Sequence, residues 1–126
     1  MEYIQYEDFK KMDMRIGLIR FVEEIEGADK LLRFEIDFGL KESEELPFAK
    51  EEYRNRDVRQ IVSGIKEYFP DFTSLVGKKA LYILNLEPRK IRGVMSHGML
   101  MAVDGVDGKP VFLVPDAEVF PGAKVR

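Results

Sequence analysis

Apolar and polar residues alternate along residues 32–38 (LRFEIDF). Apolar side chains occupy the even positions, and charged side chains occupy the odd positions between them. Successive side chains of a strand point to opposite faces of a sheet, so this period of two predicts a half-buried strand. Its apolar face is expected to contribute to the core of the protein.

The segment 14–22 (MRIGLIRFV) also alternates, but with a change of phase. Apolar residues keep one phase through Leu18 and take the opposite phase at Ile19 and Phe21, so the slip follows Gly17. An extra residue in one strand of a pair produces such a slip and bends the strand. We therefore expect a bulged strand that curves around a small barrel.

Further short apolar segments predict strands at 59–64 (RQIVSG), 80–86 (ALYILNL), 98–103 (GMLMAV) and 111–114 (VFLV). The connection between the last two, DGVDGKP, carries Asp-Gly pairs, which are a typical hairpin signal. Helical spacing is confined to two short pieces, 65–69 and 72–76, between the third and fourth strands.

This order of elements predicts an all-β fold with short helices. Five strands with a small helix between the third and fourth are typical of the oligonucleotide/oligosaccharide-binding (OB-fold) barrel, here with a C-terminal extension. A β-sandwich is the alternative, but it would normally need about seven strands. At 126 residues the chain suits a single domain, 1–126.

The acidic segment 40–57 interrupts the pattern and has no clear period. We interpret it as a solvated excursion between the second and third strands, because loops of this length are either functional or flexible. A local excess of positive charge lies elsewhere, between Lys78 and Arg92, where there are five cations and one acidic residue, Glu87.

Composition argues against catalysis. The chain has no cysteine and a single histidine, His97, so it offers no thiolate nucleophile and no cysteine- or histidine-rich metal site. Neither Ser63 nor Ser96 stands in a Gly-x-Ser-x-Gly context. We therefore expect a protein that is not an enzyme and needs no cofactor.

No run approaches the ~20 apolar residues that span a bilayer, and the N-terminus does not resemble a signal peptide, so we expect no membrane contact and a cytoplasmic location.

The segment 85–102 (NLEPRKIRGVMSHGMLMA) is the best candidate for a binding site. Pro88 turns the chain out of the preceding strand, so the cations that follow would project from a rigid loop toward phosphates. Ser96 and Met99 would add a hydroxyl and a flexible apolar side chain that suit sugar and base faces. The alternative is a basic turn that serves solubility, with Met99 filling the core.

Five segments of the sequence, taken in their order along the chain, resemble the tRNA-binding domain family. They are DFKKMDMRIGLI (8–19), GADKLLRFEIDFG (27–39), RQIVSGI (59–65), LVGKKALYILNLEPRKIRGVMSHGM (75–99) and VPDAEVFPGAKV (114–125). The family includes the C-terminal domain or β subunit of methionyl-tRNA synthetase and stand-alone structure-specific tRNA-binding proteins. The resemblance covers most of the chain and is interrupted at 40–57.

The resemblance implies an OB-fold barrel that forms a homodimer and grips the outer corner of the tRNA L by its shape and backbone. The family's binding positions fall here on Asn85, Arg89, Lys90, Arg92, Ser96 and Met99, with Lys30 and Lys78 as weaker candidates for the same surface. His97 departs from the glutamate or glutamine more usual in the Ser-x-Gly-Met motif, which implies altered base contacts or a pH dependence near the ordinary pKa of ~6.5.

The resemblance thus implies non-catalytic tRNA binding, by a free-standing protein or by a β subunit or accessory module of a methionyl-tRNA synthetase. An export-related chaperone built on the same barrel is the alternative, and it would use the groove for peptides. A plain dimerisation domain whose basic loop contacts a synthetase is a third possibility. The fold by itself does not separate these functions.

Overall fold

A computed structural model describes residues 1–41 and 51–126. The strands are β1 (Met14–Ile25), β2 (Ala28–Leu40), β3 (Arg56–Ser63), β4 (Lys79–Ile83), β5 (Arg89–Ile91), β6 (Val94–Ser96), β7 (Met99–Leu100), β8 (Ala102–Asp104) and β9 (Pro110–Phe112). One short helix, α1 (Tyr6–Lys10), precedes them, and 3-10 turns lie at Glu51–Tyr53, Lys66–Tyr68 and Phe72–Leu75.

Five of the strands form a curled antiparallel sheet in the order β3-β2-β1-β4-β7. The end of β6 and the residue after it bring the two ends of this sheet together: the His97 N–H donates to the Gln60 carbonyl at 2.9 Å, and the Ser96 hydroxyl accepts from the Val62 N–H at 3.0 Å. Two hairpins, β5–β6 and β8–β9, project from the sheet. The architecture is an OB-like barrel, and the predicted fold class is confirmed.

The core lies inside the curl of the sheet and follows the alternation of β2. The even-numbered side chains from Leu32 to Phe38 are almost completely buried, and they pack with residues from β1, β3 and β4. Phe38 meets Tyr82 of β4 edge to face, with ring centroids 5.4 Å apart. The period of two therefore predicted the inward face of this strand correctly.

The opposite face of β2 is also covered, because Glu35 and Asp37 have no exposed surface. Asp37 accepts hydrogen bonds from Arg20 at 2.7 Å and from Arg56 at 2.6 Å. Burial alone would raise the pKa of Asp37, but the hydrogen bonds from Arg56, from the Gly39 N–H and from Arg20 outweigh it and lower that pKa. Both faces of this strand are consequently interior, which its alternation did not indicate.

The bulge in β1 lies slightly beyond the predicted place. Pairing with β2 shifts register between Ile19 and Phe21, so the extra residue is Arg20. Ile19 is buried, but Phe21, which shares its phase in the sequence, is 38% exposed and does not turn inward with it. Gly17 has a different role: a Cβ there would overlap the side chains of Ile36 and Phe38, so glycine lets β2 cross closely.

Several other boundaries also differ from the prediction. The two pieces with helical spacing form 3-10 turns, and α1 was not predicted. The predicted strand 98–103 is divided into β7 and β8. Of the excursion 40–57, residues 42–50 lie outside the described residues. The remainder contributes to the fold, because the Tyr53 hydroxyl donates to Glu35 at 2.7 Å and β3 already begins at Arg56.

The C-terminal extension pairs with the first residues of β1, before the register of β1 with β2 begins at Leu18. The Gly122 N–H donates to the Ile16 carbonyl at 2.7 Å, and the Ile16 N–H donates to the Ala123 carbonyl at 2.9 Å. The Val125 N–H continues the pattern with Met14 at 2.9 Å. This segment therefore satisfies backbone groups of β1 that would otherwise form an open edge.

Candidate nucleic-acid interface

The basic stretch after Pro88 forms a β-hairpin, whereas the sequence predicted a loop. Ile91 pairs with Val94, which leaves Arg92 and Gly93 as a two-residue turn. Both turn residues have positive φ, 51° and 80°, as the type I′ turn requires. The ladder of the hairpin holds Arg89 and Lys90 in place, so the cations stand on a more rigid element than a loop.

Side chains on β5 alternate between the two faces of this hairpin. Arg89 and Ile91 line a groove, and Lys90 points to the other face, opposite Met95. The groove is mostly apolar and lies between β3, the hairpin and β7; its further lining includes Leu86, Pro88, Met99 and Leu100. Met99 is 48% exposed, so it lies at the surface of the groove and does not fill the core. Sequence reasoning missed Ile91 and Leu100 as residues of the groove. Ile91 could have been found, because it lies two residues from Arg89 and therefore on the same face of β5.

Arg89, Lys90 and Arg92 are exposed, and none of them takes part in an ion pair among the described residues. An exposed guanidinium or ammonium without a protein carboxylate is available to a phosphate at little desolvation cost. The hairpin is therefore a compact source of positive charge beside an apolar groove.

Lys30 lies near the tip of the hairpin. It lines a second depression, formed by residues 27–31 together with Ile91 and Arg92. Ile91 lines both depressions, so the two adjoin at this side chain. The structure thus brings Lys30 to the surface on which the sequence placed it.

Lys78 is not brought to this surface. It precedes β4, whereas Asn85 and the hairpin follow the opposite end of that strand. The Lys78 ammonium lies 5.6 Å from the centroid of the Phe112 ring, and the residue lines a separate depression with Lys79 and residues 114–118.

The side chain of Asn85 connects the end of β4 to the N-terminal segment. Its Oδ1 accepts from the Asp13 N–H at 2.8 Å, and its Nδ2 donates to the Lys11 carbonyl at 2.5 Å. Each polar atom of the amide therefore already has a backbone partner. This side chain orients the segment that leads into the hairpin.

The hydroxyl of Ser96 is similarly engaged. It accepts from the Val62 N–H and donates to the Gly98 carbonyl, both at 3.0 Å, and the residue is only 5% exposed. Gly98 itself has φ of 143° and approaches Ile61 closely. Ser96 therefore holds the closure of the barrel.

His97 lies between the hairpin and β7 and is half-buried. Burial, together with the positive charge of Arg59, lowers the pKa of His97 below its ordinary value. Arg59 is held in turn by Asp57 at 3.0 Å and by the Leu84 carbonyl at 3.2 Å. Burial and the charge of Arg59 both favour the neutral imidazole.

Residues 1–41 and 51–126 contain no group of three or more His, Asp or Glu side chains placed to hold a metal ion. The same residues include no helix that is both long enough and apolar enough to cross a membrane.

Comparison with known proteins shows the family of the chain. The family described as "Putative tRNA binding domain" matches residues 14–124. A methionine–tRNA ligase of Pyrococcus horikoshii is 42% identical over 127 residues, covering 100% of this chain and 15% of the ligase. One of Parabacteroides distasonis is 38% identical over 125 residues, covering 99% of this chain and 16% of the ligase. The chain thus spans about one sixth of these relatives.

Two solved structures share the fold over nearly the whole chain. A MetRS-related protein from Pyrococcus horikoshii has a TM-score of 0.79 and 33% identity, with 100% of both chains covered. The chaperone CsaA of Bacillus anthracis has a TM-score of 0.74 and 25% identity, covering 99% of this chain and 100% of its own. The family match extends over most of the chain, and the chain therefore belongs to the tRNA-binding domain family.

Proposed function

We propose that this protein binds tRNA without catalysing a reaction on it, and that the β5–β6 hairpin and its groove are the binding surface. The observation that carries the proposal is the exposed set of cations on the hairpin, with Arg89 at the groove, Lys90 on the opposite face and Arg92 in the turn, which form no ion pair within residues 1–41 and 51–126. Phosphate neutralisation by such cations supplies most of the sequence-independent affinity for nucleic acids.

The groove offers contacts to the parts of the RNA other than its phosphates. Met99 and Leu86 are 48% and 43% exposed and offer apolar surface to a base or a ribose. Lys30 at the hairpin tip extends the positive charge along the same path. Such a surface reads the shape and backbone of a folded RNA, and we propose the outer corner of the tRNA L as its target.

Binding assays with folded tRNA and with a single-stranded oligonucleotide of equal length test this target. Both ligands carry similar numbers of phosphates, and the higher charge density of folded tRNA by itself predicts only a modest preference for it. Recognition of shape predicts tighter binding of folded tRNA, by about tenfold or more. Equal affinities would exclude the tRNA corner as the feature that is read.

The relatives support a place beside methionyl-tRNA synthetase. Nearly all of this chain matches about one sixth of proteins named methionine–tRNA ligase, and a solved neighbour is named MetRS-related. We propose that the protein provides a tRNA-binding surface for such a synthetase in the cytoplasm. It would do so as a free-standing protein or as the β subunit or an accessory module of the synthetase. Co-purification with the synthetase, before and after nuclease treatment, separates a protein contact from an RNA bridge.

We also propose a homodimer. Val114 is 56% and Phe120 88% exposed on the C-terminal segment, with Val119 half-buried between them. A two-fold interface would bury this apolar patch against the same patch of a second protomer. Sedimentation at micromolar concentration should give twice the chain mass, and a monomer that still binds tRNA would contradict this part of the proposal.

A peptide-binding chaperone is the second candidate, supported by the CsaA structure and by the apolar lining of the groove. The two functions differ in their dependence on charge. Binding of an unfolded apolar peptide should survive high salt, whereas tRNA binding should weaken steeply. Competition between tRNA and a denatured protein for the groove decides which ligand occupies it.

A further inference from the structure

Gln60, on β3, contacts the hairpin at two points. Its backbone carbonyl accepts from the His97 N–H at 2.9 Å, just beyond the end of β6. Its side-chain Nε2 donates to the Met95 carbonyl at 2.8 Å, within β6. Met95 is the cross-strand partner of Lys90, so Gln60 holds the hairpin next to its cations.

The side chain of Gln60 is itself fixed by Arg33 of β2. One Arg33 nitrogen donates to Gln60 Oε1 at 3.0 Å, another to Glu23 at 2.6 Å and the third to Glu35 at 2.9 Å. Because the guanidinium is planar, carboxylates at two of its nitrogens fix the direction of the third. The Gln60 amide is therefore oriented with its oxygen toward Arg33 and its nitrogen toward the hairpin.

A hairpin of two three-residue strands is marginally stable by itself, and its orientation depends on what holds it. Within the described residues, the side chain of Gln60 is the group of β3 that bonds the backbone of β6 inside the strand. Without this bond, β6 would still be tied to β3 at its end through Ser96 and His97, but the part of the hairpin that carries its cations would be less firmly held, and the cost of ordering it would then be subtracted from tRNA binding.

We infer that Gln60 is a positioning residue for RNA binding, held by Arg33, which fixes the hairpin so that its cations reach phosphates together. This inference rests on the proposed function. It predicts that a neutral substitution on β3, at a residue that is not itself a proposed phosphate ligand, changes the number of phosphates that the protein neutralises.

The test is Gln60→Met, which keeps the length and the neutral charge of the side chain but removes both of its hydrogen bonds. We expect tRNA affinity to fall about tenfold and the plot of log affinity against log salt to become shallower by about 0.7 to 0.9 for each phosphate that is no longer neutralised. A decrease in stability alone would lower the melting temperature without changing that slope. Gln5→Met, the same substitution at the N-terminus of α1, is the matched control and should leave the slope unchanged.

A Gln60→Met protein with the wild-type slope overturns the inference, whatever its melting temperature. Gln60→Ala makes the same test without an apolar group to bury, in case the methionine variant does not fold. The triple variant R89E/K90E/R92E separates this outcome from failure of the proposed function. If the triple variant does not bind while both Gln60 variants keep the wild-type slope, only the positioning role is wrong. If the triple variant binds like wild type, the proposed function is wrong.

Discussion

The central prediction concerns the charge of the hairpin. Reversal of Arg89, Lys90 and Arg92 to glutamate places three anions where the proposed function requires phosphate ligands. The three side chains are exposed and form no ion pair with another described residue. Reversing their charges therefore breaks no ion pair in the described part of the chain. Arg92 has φ of 51°, and glutamate is no worse suited to that conformation than arginine. We therefore expect the variant to fold and to melt close to wild type.

The expected size of the effect follows from counterion release. Three phosphate contacts contribute about 2 to 3 units to the slope of log affinity against log salt. An increase of salt from about 50 to 200 mM should therefore weaken the hairpin's share of wild-type binding by about 20- to 40-fold. The triple variant should show no measurable binding, and each single change to alanine should make the slope shallower by about 0.7 to 0.9.

Fluorescence anisotropy of labelled tRNA, titrated with protein at several salt concentrations, measures affinity and slope together. Backbone contacts predict a uniform decrease in affinity for different tRNA sequences, because phosphates carry no sequence information. A folded triple variant with wild-type affinity and slope would refute the assignment, and the hairpin would then be a basic turn that serves solubility.

Three further predictions concern individual side chains. Ser96→Ala should lower the free energy of unfolding by about 1 to 3 kcal/mol in thermal or urea denaturation, because the buried Val62 N–H loses its acceptor; the salt slope of tRNA binding should stay as in wild type. Tyr82→Phe should be neutral or stabilising by about 1 kcal/mol in the same assay, because the buried Tyr82 hydroxyl has no hydrogen-bond partner among the described residues; a clear decrease in stability would reveal a partner. The pKa of His97 is lowered in the folded state, so its contribution to stability is present above its unfolded pKa of ~6.5 and is lost as the pH falls below it. Melting curves at pH 8 and pH 5.5 should show this decrease in wild type and a smaller one in His97→Gln, and equal decreases would contradict the shift.

Local pattern was sufficient for the elements whose structure depends on neighbours in the sequence. The alternation in residues 32–38 predicted β2 and its inward face, because the pleat of a strand alternates side chains whatever surrounds it. The change of phase in 14–22 predicted a bulge in β1, although Arg20 and not Gly17 is the bulged residue. The order of these elements was enough to predict the OB-like barrel.

The candidate surface could be predicted only in part. The resemblance pointed to the cations after Pro88 and to Lys30, and the structure places them on the hairpin or at its tip. It could not show that Arg89 and Lys90 point to opposite faces, because a three-residue strand is too short for its alternation to be recognised. The hairpin itself was missed for the same reason.

Tertiary structure alone decided which backbone groups the polar side chains bond. The resemblance implies that Asn85 and Ser96 contact the ligand; in the fold, their polar atoms bond backbone groups of Lys11, Asp13, Val62 and Gly98, while Asn85 stays exposed. The charged face of β2 is buried because arginines from β1 and β3 and Tyr53 converge on it from distant positions in the chain. A buried donor or acceptor needs a partner, and that partner is set by which segments the barrel brings together, so no local pattern of residues contains it.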